Sequence, residues 1–349
     1  MTVYLFLALI LASALIKPKN ICNTYIIMFL LCFFGFFRGE YVGDDVLIYC
    51  KNIERTTFSP STWSYFTTFE AGYNILIAIY NLFFAKPLFF IGLCNIFFVV
   101  AFYKYAKNKT AMIAMAFFLM YMMGYYLMSY NIIRQFFAIS LCLLAFCKVD
   151  FEQMTRKQAC YLGCYVFFVA VFFHNTALCF FAYYLYYFLR KKVINNYLFF
   201  SIVLLTSIVI YKLDLISQLL GALNIFFFNE KTTAYLLAAT TGATEEVGYS
   251  FLRILLDSSF IIFLLYKLKK VNAYLFLMIA GQIFVNIFGA LNPLFARVPT
   301  LLFVIAIPQI CEVWKIDKIS KSVIGIYSIL LFSNFLSKNY AGVIPYTFM

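Results

Sequence analysis

Three long apolar runs, each interrupted by one ionisable residue, constrain this chain more than anything else in it. Thr110 to Cys147 is 38 residues with Arg134 as its single charge. Gln158 to Leu189 is 32 residues with no formal charge and with His174, the one histidine of the protein. Val271 to Cys311 is broken by Arg297 alone. A crossing needs roughly 20 apolar residues, so each run has room to turn back once, with the lone residue near the turn. Ionisable groups are expensive in hydrocarbon and tend to mark the place where a membrane protein works.

Composition agrees. The chain is 65% hydrophobic and 12% charged, with a mean hydropathy of +0.92, far from soluble usage. Read by length and hydropathy, it is an all-α polytopic integral membrane protein with about twelve transmembrane helices. The expected spans are 3–16, 24–38, one within 70–103, 110–129, 131–148, 159–173, 176–189, 195–211, 251–266, 272–290, 298–312 and 322–336. No linker or internal repeat interrupts them, so 1–349 reads as a single polytopic membrane domain. Ala12-Ser13-Ala14 resembles a signal-peptide cleavage site, but the positive charges, Lys17 and Lys19, follow the apolar run instead of preceding it. That order fits a retained first helix with its N-terminus outside.

Lysines and arginines set the orientation. The loops carrying Lys17/Lys19, Lys104/Lys107/Lys109, Lys148/Arg156/Lys157, Arg190/Lys191/Lys192, Lys267/Lys269/Lys270 and Lys315/Lys318/Lys321 hold 17 of the 27 basic residues and four of the 14 acids. Taken as cytoplasmic, they account for the entire formal charge of +13. The basic balance is therefore topology, and a nucleic-acid partner is not implied. Within 70–103 two apolar stretches flank Lys86-Pro87; a single crossing keeps the alternation, with the first stretch lying in the outer interface. Arg134, His174 and Arg297 then fall at outer helix ends, beside the large outer loops at about 38–69 and 212–250.

Each candidate has a plainer reading. Arg134 and Arg297 could be arginines snorkelling to lipid phosphate. Asn131, Arg134 and Gln135, however, stand at i, i+3 and i+4 and would share one helical face, and Asn292-Pro293 opens a helix end before Arg297. His174 could be a satisfied turn residue, and Asp44 and Asp45 after Gly43 a simple turn. Arg253 and Asp257, at i and i+4, read as a local ion pair. With one histidine and no Cys-x-x-Cys there is no zinc spacing, no phosphate-binding glycine loop, and no cofactor or metal is expected.

The order Gly43-Asp44-Asp45 with Tyr49, then Phe69-Glu70-Ala71-Gly72-Tyr73, then Asn131-Ile132-Ile133-Arg134-Gln135, then His174-Asn175-Thr176-Ala177 and a late Arg297 resembles the EpsG/Wzy family of bacterial O-antigen, capsule and exopolysaccharide polymerases. The resemblance implies a glycosyltransferase of the cytoplasmic (inner) membrane with its active site on the extracytoplasmic side. Donor and acceptor would both be undecaprenyl-diphosphate-linked glycans, with a flippase and a chain-length regulator as further partners. A diphosphate leaving group needs positive charge, and bidentate arginine suits phosphate oxygens, so Arg134 and Arg297 are the candidates. An acceptor hydroxyl needs a base: His174, whose reference pKa is near 6.5, with Asp44, Asp45 or Glu70 as alternatives. Asn131 and Gln135 are candidates to bind sugar or diphosphate oxygens, and Tyr49, Trp63 and Tyr73 to stack on pyranose rings. A repeat-unit flippase or other transporter would carry charge nearer the midplane on broken helices. An O-antigen ligase would share the diphosphate chemistry.

Overall fold

The structure, a computed structural model, describes residues 1–62, 69–193, 196–213, 250–289 and 293–349. Among these residues there are fifteen α-helices and no strand. In chain order they are α1 (Thr2–Ile16), α2 (Ile21–Phe36), α3 (Val46–Arg55), α4 (Ala71–Asn81), α5 (Pro87–Lys109), α6 (Ile113–Met122), α7 (Tyr125–Met128), α8 (Ile133–Phe146), α9 (Arg156–Phe172), α10 (Ala182–Val193), α11 (Tyr197–Lys212), α12 (Phe251–Leu268), α13 (Ala273–Phe288), α14 (Thr300–Trp314) and α15 (Lys318–Ser337). They form two compact units, Met1–Leu178 with Asp317–Met349, and Cys179–Ile316. In the first unit α5 packs along α8 and α2, α1 along α6, and α8 beside α9. In the second, α13 is central and touches α10, α11, α12 and α14.

Local chemistry explains several boundaries. Pro87 opens α5 at a position where a missing N–H costs nothing. Thr155 and Gln158 form a reciprocal capping box on α9. The Asn272 and Asp317 side chains accept the Leu275 and Ser320 N–H groups in the first turns of α13 and α15. Two helices, α5 and α15, are long and apolar enough to cross a bilayer, and seven shorter helices are mostly apolar. Large apolar side chains such as Leu9, Phe29, Phe168, Ile202, Leu252 and Ile326 face outward along their helices. Water would not tolerate such a surface over most helices, whereas lipid does.

Two expected spans are corrected. Stretch 110–129 is divided between α6 and α7, because Gly124 takes a left-handed conformation, φ +84°, that ends the first helix. Stretch 176–189 is not one α-helix: Asn175–Phe181 is a 3-10 helix, and α10 starts only at Ala182. Residues 70–103 split into the 11-residue α4 and the 23-residue α5. At 1.5 Å per residue these are roughly 16 and 35 Å long, so only α5 has crossing length. The Lys109 ammonium at the end of α5 donates to the Val149 carbonyl. The two basic loops around Lys107 and Lys148 therefore lie at the same end of the first unit.

The opposite end of this unit holds α3, α4 and the C-terminal tail. Tyr4 Oη donates to the Val343 carbonyl at 2.6 Å and Tyr346 Oη to the Phe34 carbonyl at 2.7 Å. The Gly43 amide donates to the Gly342 carbonyl at 2.9 Å, so the tail clamps the turn that carries Asp44 and Asp45. Val46, Tyr49 and Ile53 from α3 and Tyr73, Ile77 and Tyr80 from α4 bury together against Phe90, Ile91 and Cys94 of α5 and Ile133 of α8. This cluster fixes two short polar-edged helices over the start of α8.

Candidate functional site

The start of α8 is held by a long-range hydrogen bond. Asn131 is buried, and its Oδ1 accepts the backbone N–H of Asp45 at 2.8 Å. Asn131 therefore does not share a helical face with Arg134 and Gln135: Ile132 is non-helical and α8 begins at Ile133. The side chain positions a turn instead. Gln135 is buried inside the unit, while the Arg134 side chain keeps 18% of its surface open.

Arg134 is the centre of the constellation. Its Nη1 pairs with Glu70 Oε2 at 2.6 Å. Its Nε points at Tyr49 Oη, 3.4 Å away, and its Cζ lies 4.2 Å from the centre of the Phe69 ring. Glu70 immediately precedes α4, and Tyr49 stands one turn after Asp45 on α3. The Phe69 ring packs against Tyr49 at 5.3 Å and edge-on to Tyr73 at 5.8 Å. Tyr73 also meets Phe137 at 5.9 Å. These rings cover one side of the guanidinium, and the side chain keeps 18% of its surface exposed. Tyr73 has no exposed surface and Tyr49 only 6%, so neither ring is a platform for a pyranose as expected from the sequence. Burial pushes the Tyr49 hydroxyl above its ordinary range, opposed by the Arg134 charge, so it remains neutral and accepts the Arg134 Nε–H.

His174 sits at the same end, because α8 starts and α9 finishes there. Gly72 makes this approach possible: a Cβ on it would stand 2.7 Å from the Phe172 carbonyl oxygen. The His174 amide donates to the Val169 carbonyl at 3.2 Å, ending α9. Its Nδ1 lies 2.8 Å from Thr176 Oγ1 and accepts the Thr176 backbone N–H at 3.3 Å. Burial first, and then the nearby Arg134 charge, push its pKa down to about 3. That direction runs away from the neutral range in which the sequence placed the ring.

The acids differ in place. Asp45 is half-buried beside Val46, and Asp44 is exposed, its Oδ1 packed over Gly342 of the tail. In the second unit Arg297 closes the 3-10 helix Pro293–Arg297 before α14, half-buried, its carbonyl accepting Thr300 Oγ1 at 2.6 Å. Arg253 Nε pairs with Asp257 Oδ2 at 2.7 Å, the local ion pair read from their spacing. Trp63 and most of the 212–250 loop lie outside the described residues. Sequence reasoning did not assign Phe69 or Thr176 a role, although both stand in the quoted motifs. Among the described residues no cluster of three metal-donor side chains occurs.

Arg134, partly exposed and held in place by Glu70 and Tyr49, can offer charge and donors to an anionic group. The sequence model of the EpsG family matches residues 20–348, nearly the whole chain. No curated protein and no solved structure matches. The chain belongs to the EpsG family, a Wzy-type polymerase family, and is a membrane protein of the polysaccharide-polymerase type.

Proposed function

We propose that the protein joins undecaprenyl-diphosphate-linked oligosaccharide repeat units at the outer face of the bacterial cytoplasmic membrane. The observation that carries this reading is the Arg134 constellation: a guanidinium dried on one face by Phe69 and braced by Glu70 at 2.6 Å and Tyr49 at 3.4 Å. It lies at the end of its unit opposite the basic loops around Lys107 and Lys148, which the positive-inside rule assigns to the cytoplasm.

In the reaction, the bond from the anomeric carbon of the growing chain to the diphosphate oxygen breaks, and an acceptor sugar hydroxyl bonds to that carbon. The hydroxyl proton passes to a base, and undecaprenyl diphosphate leaves with the electron pair. Arg134 stabilises the charge that develops on the diphosphate, and donors in place before the reaction are effective because they need no reorganisation. Arg297 is proposed for the same chemistry from its place in the motif order. His174, Asp44, Asp45 and Glu70 are the groups considered for the base. Asn131 acts by positioning Asp45, and Gln135 contributes packing inside its unit. About twelve crossings, the lipid-linked donor and acceptor, and a flippase and chain-length regulator as neighbours complete the proposal.

The test is the surface glycan of a strain lacking the protein. Loss of a polymerase leaves single repeat units that are still exported and attached, so one unit appears and the ladder disappears. Loss of a flippase leaves no surface unit. Loss of a ligase leaves long chains on the carrier lipid, and that outcome refutes the proposal.

A further inference from the structure

We infer that Arg38 is a positioning residue for the Arg134 site. Its buried guanidinium holds the Tyr130 ring, and Tyr130 with Asn131 sets the turn Gly43-Asp44-Asp45 beside the start of α8. The inference rests on the polymerase reading and adds a residue to it. Arg38 is 1% exposed, and among the described residues none of its three guanidinium nitrogens has a hydrogen-bond partner. Its Cζ lies 4.4 Å from the centre of the Tyr130 ring. The groups that act on its charge are the hydroxyls of Tyr130, Tyr126, Tyr4 and Tyr346, and no carboxylate is among them. Each of these hydroxyls donates elsewhere. Tyr130 donates to Tyr126 Oη at 2.7 Å, Tyr126 to the Leu31 carbonyl, and Tyr4 and Tyr346 to the carbonyls of Val343 and Phe34. The cation is thus given a ring face and neutral oxygens, with no counter-charge.

A buried charge in such surroundings costs stability, and one ring contact does not offset that cost. Stability therefore gives no reason for an arginine here, but position does. The Arg38 backbone bridges to Phe348, and the Gly39 amide donates to the Thr347 carbonyl at 2.6 Å. The same tail accepts the Gly43 and Asp44 amides on the Gly342 and Ala341 carbonyls, at 2.9 and 3.3 Å. Tyr130 also meets that turn: a Cβ on Gly43 would stand 2.8 Å from the Tyr130 carbonyl oxygen. The next residue, Asn131, accepts the Asp45 amide at 2.8 Å, and Arg134 lies in the first turn of α8. A guanidinium clasped to the Tyr130 ring therefore ties the tail and the acidic turn to the segment that leads into Arg134. Methionine has a similar reach without the charge, so it should loosen that clasp without opening a large cavity.

Arg38→Met and Arg38→Lys in the deletion strain test this, with protein level measured in membranes and with Tm and amide exchange measured on purified protein. Removing an unpartnered buried charge relieves its cost, so Arg38→Met should accumulate normally and keep or raise its Tm. The Gly43 and Asp45 amides should nevertheless exchange about tenfold faster, as a local loosening does. The ladder per protein should fall by roughly 10- to 100-fold, because a misplacement of about 1 Å can cost that much at a reacting centre. Lysine keeps a cation over the ring and should recover part of both losses. A lower Tm with a ladder that falls only in proportion to protein would make Arg38 a residue of the fold alone and overturn the inference. Unchanged exchange at Gly43 and Asp45 would also overturn it, whatever the ladder shows, as would failure of Arg38→Met to accumulate or a lysine variant no better than methionine. The polymerase reading is judged separately: it stands if the deletion strain lacks a ladder and the wild-type gene restores it, whatever the variants do. It falls, and the positioning role with it, if polymer accumulates on the carrier lipid without the protein.

Discussion

Arg134→Lys separates what this residue does for the fold from what it does for the reaction. Lysine keeps the charge and can still reach Glu70, but it lacks the planar face over Phe69 and the Nε donor to Tyr49. A cation over a ring contributes about 0.5–1 kcal/mol at a partly open site. A neutral hydrogen bond adds ~0.5–1.5 kcal/mol, and at 3.4 Å the one to Tyr49 belongs at the low end. The fold should therefore lose roughly 1–1.5 kcal/mol, a few degrees in Tm. If the fork grips a diphosphate, the rate should fall by about 10²-fold or more, since one donor to developing charge is gone. The assay is glycan-ladder density in a complemented deletion strain, normalised to protein in the membrane, with Tm measured on purified protein. A full ladder at normal protein level would reduce Arg134 to a structural ion pair. A ladder that falls only in proportion to protein would assign the whole effect to stability.

Arg297→Lys should also lose most polymerisation at normal protein level; full activity would return that arginine to a headgroup anchor. Cysteine at exposed Ser61, in a background lacking Cys50, should react with an impermeant thiol reagent from outside, while cysteine at Lys107 should stay protected. External labelling at 107 would overturn the single crossing within 70–103. For His174 the sign follows from a folded pKa near 3 against about 6.5 unfolded. The unfolded ring binds a proton below about pH 6.5 that the folded ring refuses until near pH 3, so this group's contribution is fully present above that range and is lost as pH falls through it. Wild type should lose Tm relative to His174→Gln between pH 7 and pH 5, and parallel Tm curves would show that the ring is not held neutral.

The helices were legible because a bilayer demands length and hydropathy together, and both are written locally. The runs ending near Ile16, Phe36, Phe146 and Trp314 became helices within a few residues of their expected limits. Errors arose where one backbone conformation decided the outcome. Gly124 interrupts an apolar run that hydropathy alone joins. Ile132, with φ −90° and ψ 60°, starts α8 too late for Asn131 to share a face with Arg134. The site was legible as a set of residues and not as a set of partners. Glu70 and Arg134 are 64 positions apart and Asp45 and Asn131 are 86. Those pairings depend on how α3 and α4 fold over α5 and α8. The same packing buries Tyr49 and Tyr73, which a motif presents as ready to stack, and partly buries His174, lowering its pKa with a further contribution from the Arg134 charge.

The resting Arg134–Glu70 pair also bears on turnover in the proposed reaction. A partly buried guanidinium with no counter-charge would be costly to maintain and would hold any arriving diphosphate tightly. Glu70, with 21% of its side chain exposed against 18% for Arg134, neutralises that charge while the site is empty and stays open enough to yield. A diphosphate must then share the guanidinium with a carboxylate already present, which weakens ground-state binding of donor and product alike. The charge that grows on the leaving oxygen is absent from the ground state, so the donors respond to it most strongly during bond breaking. Interactions that strengthen only there raise the rate without trapping product. If the proposed reaction releases undecaprenyl diphosphate after each unit added, a guanidinium already paired at rest serves repeated cycles better than a bare one.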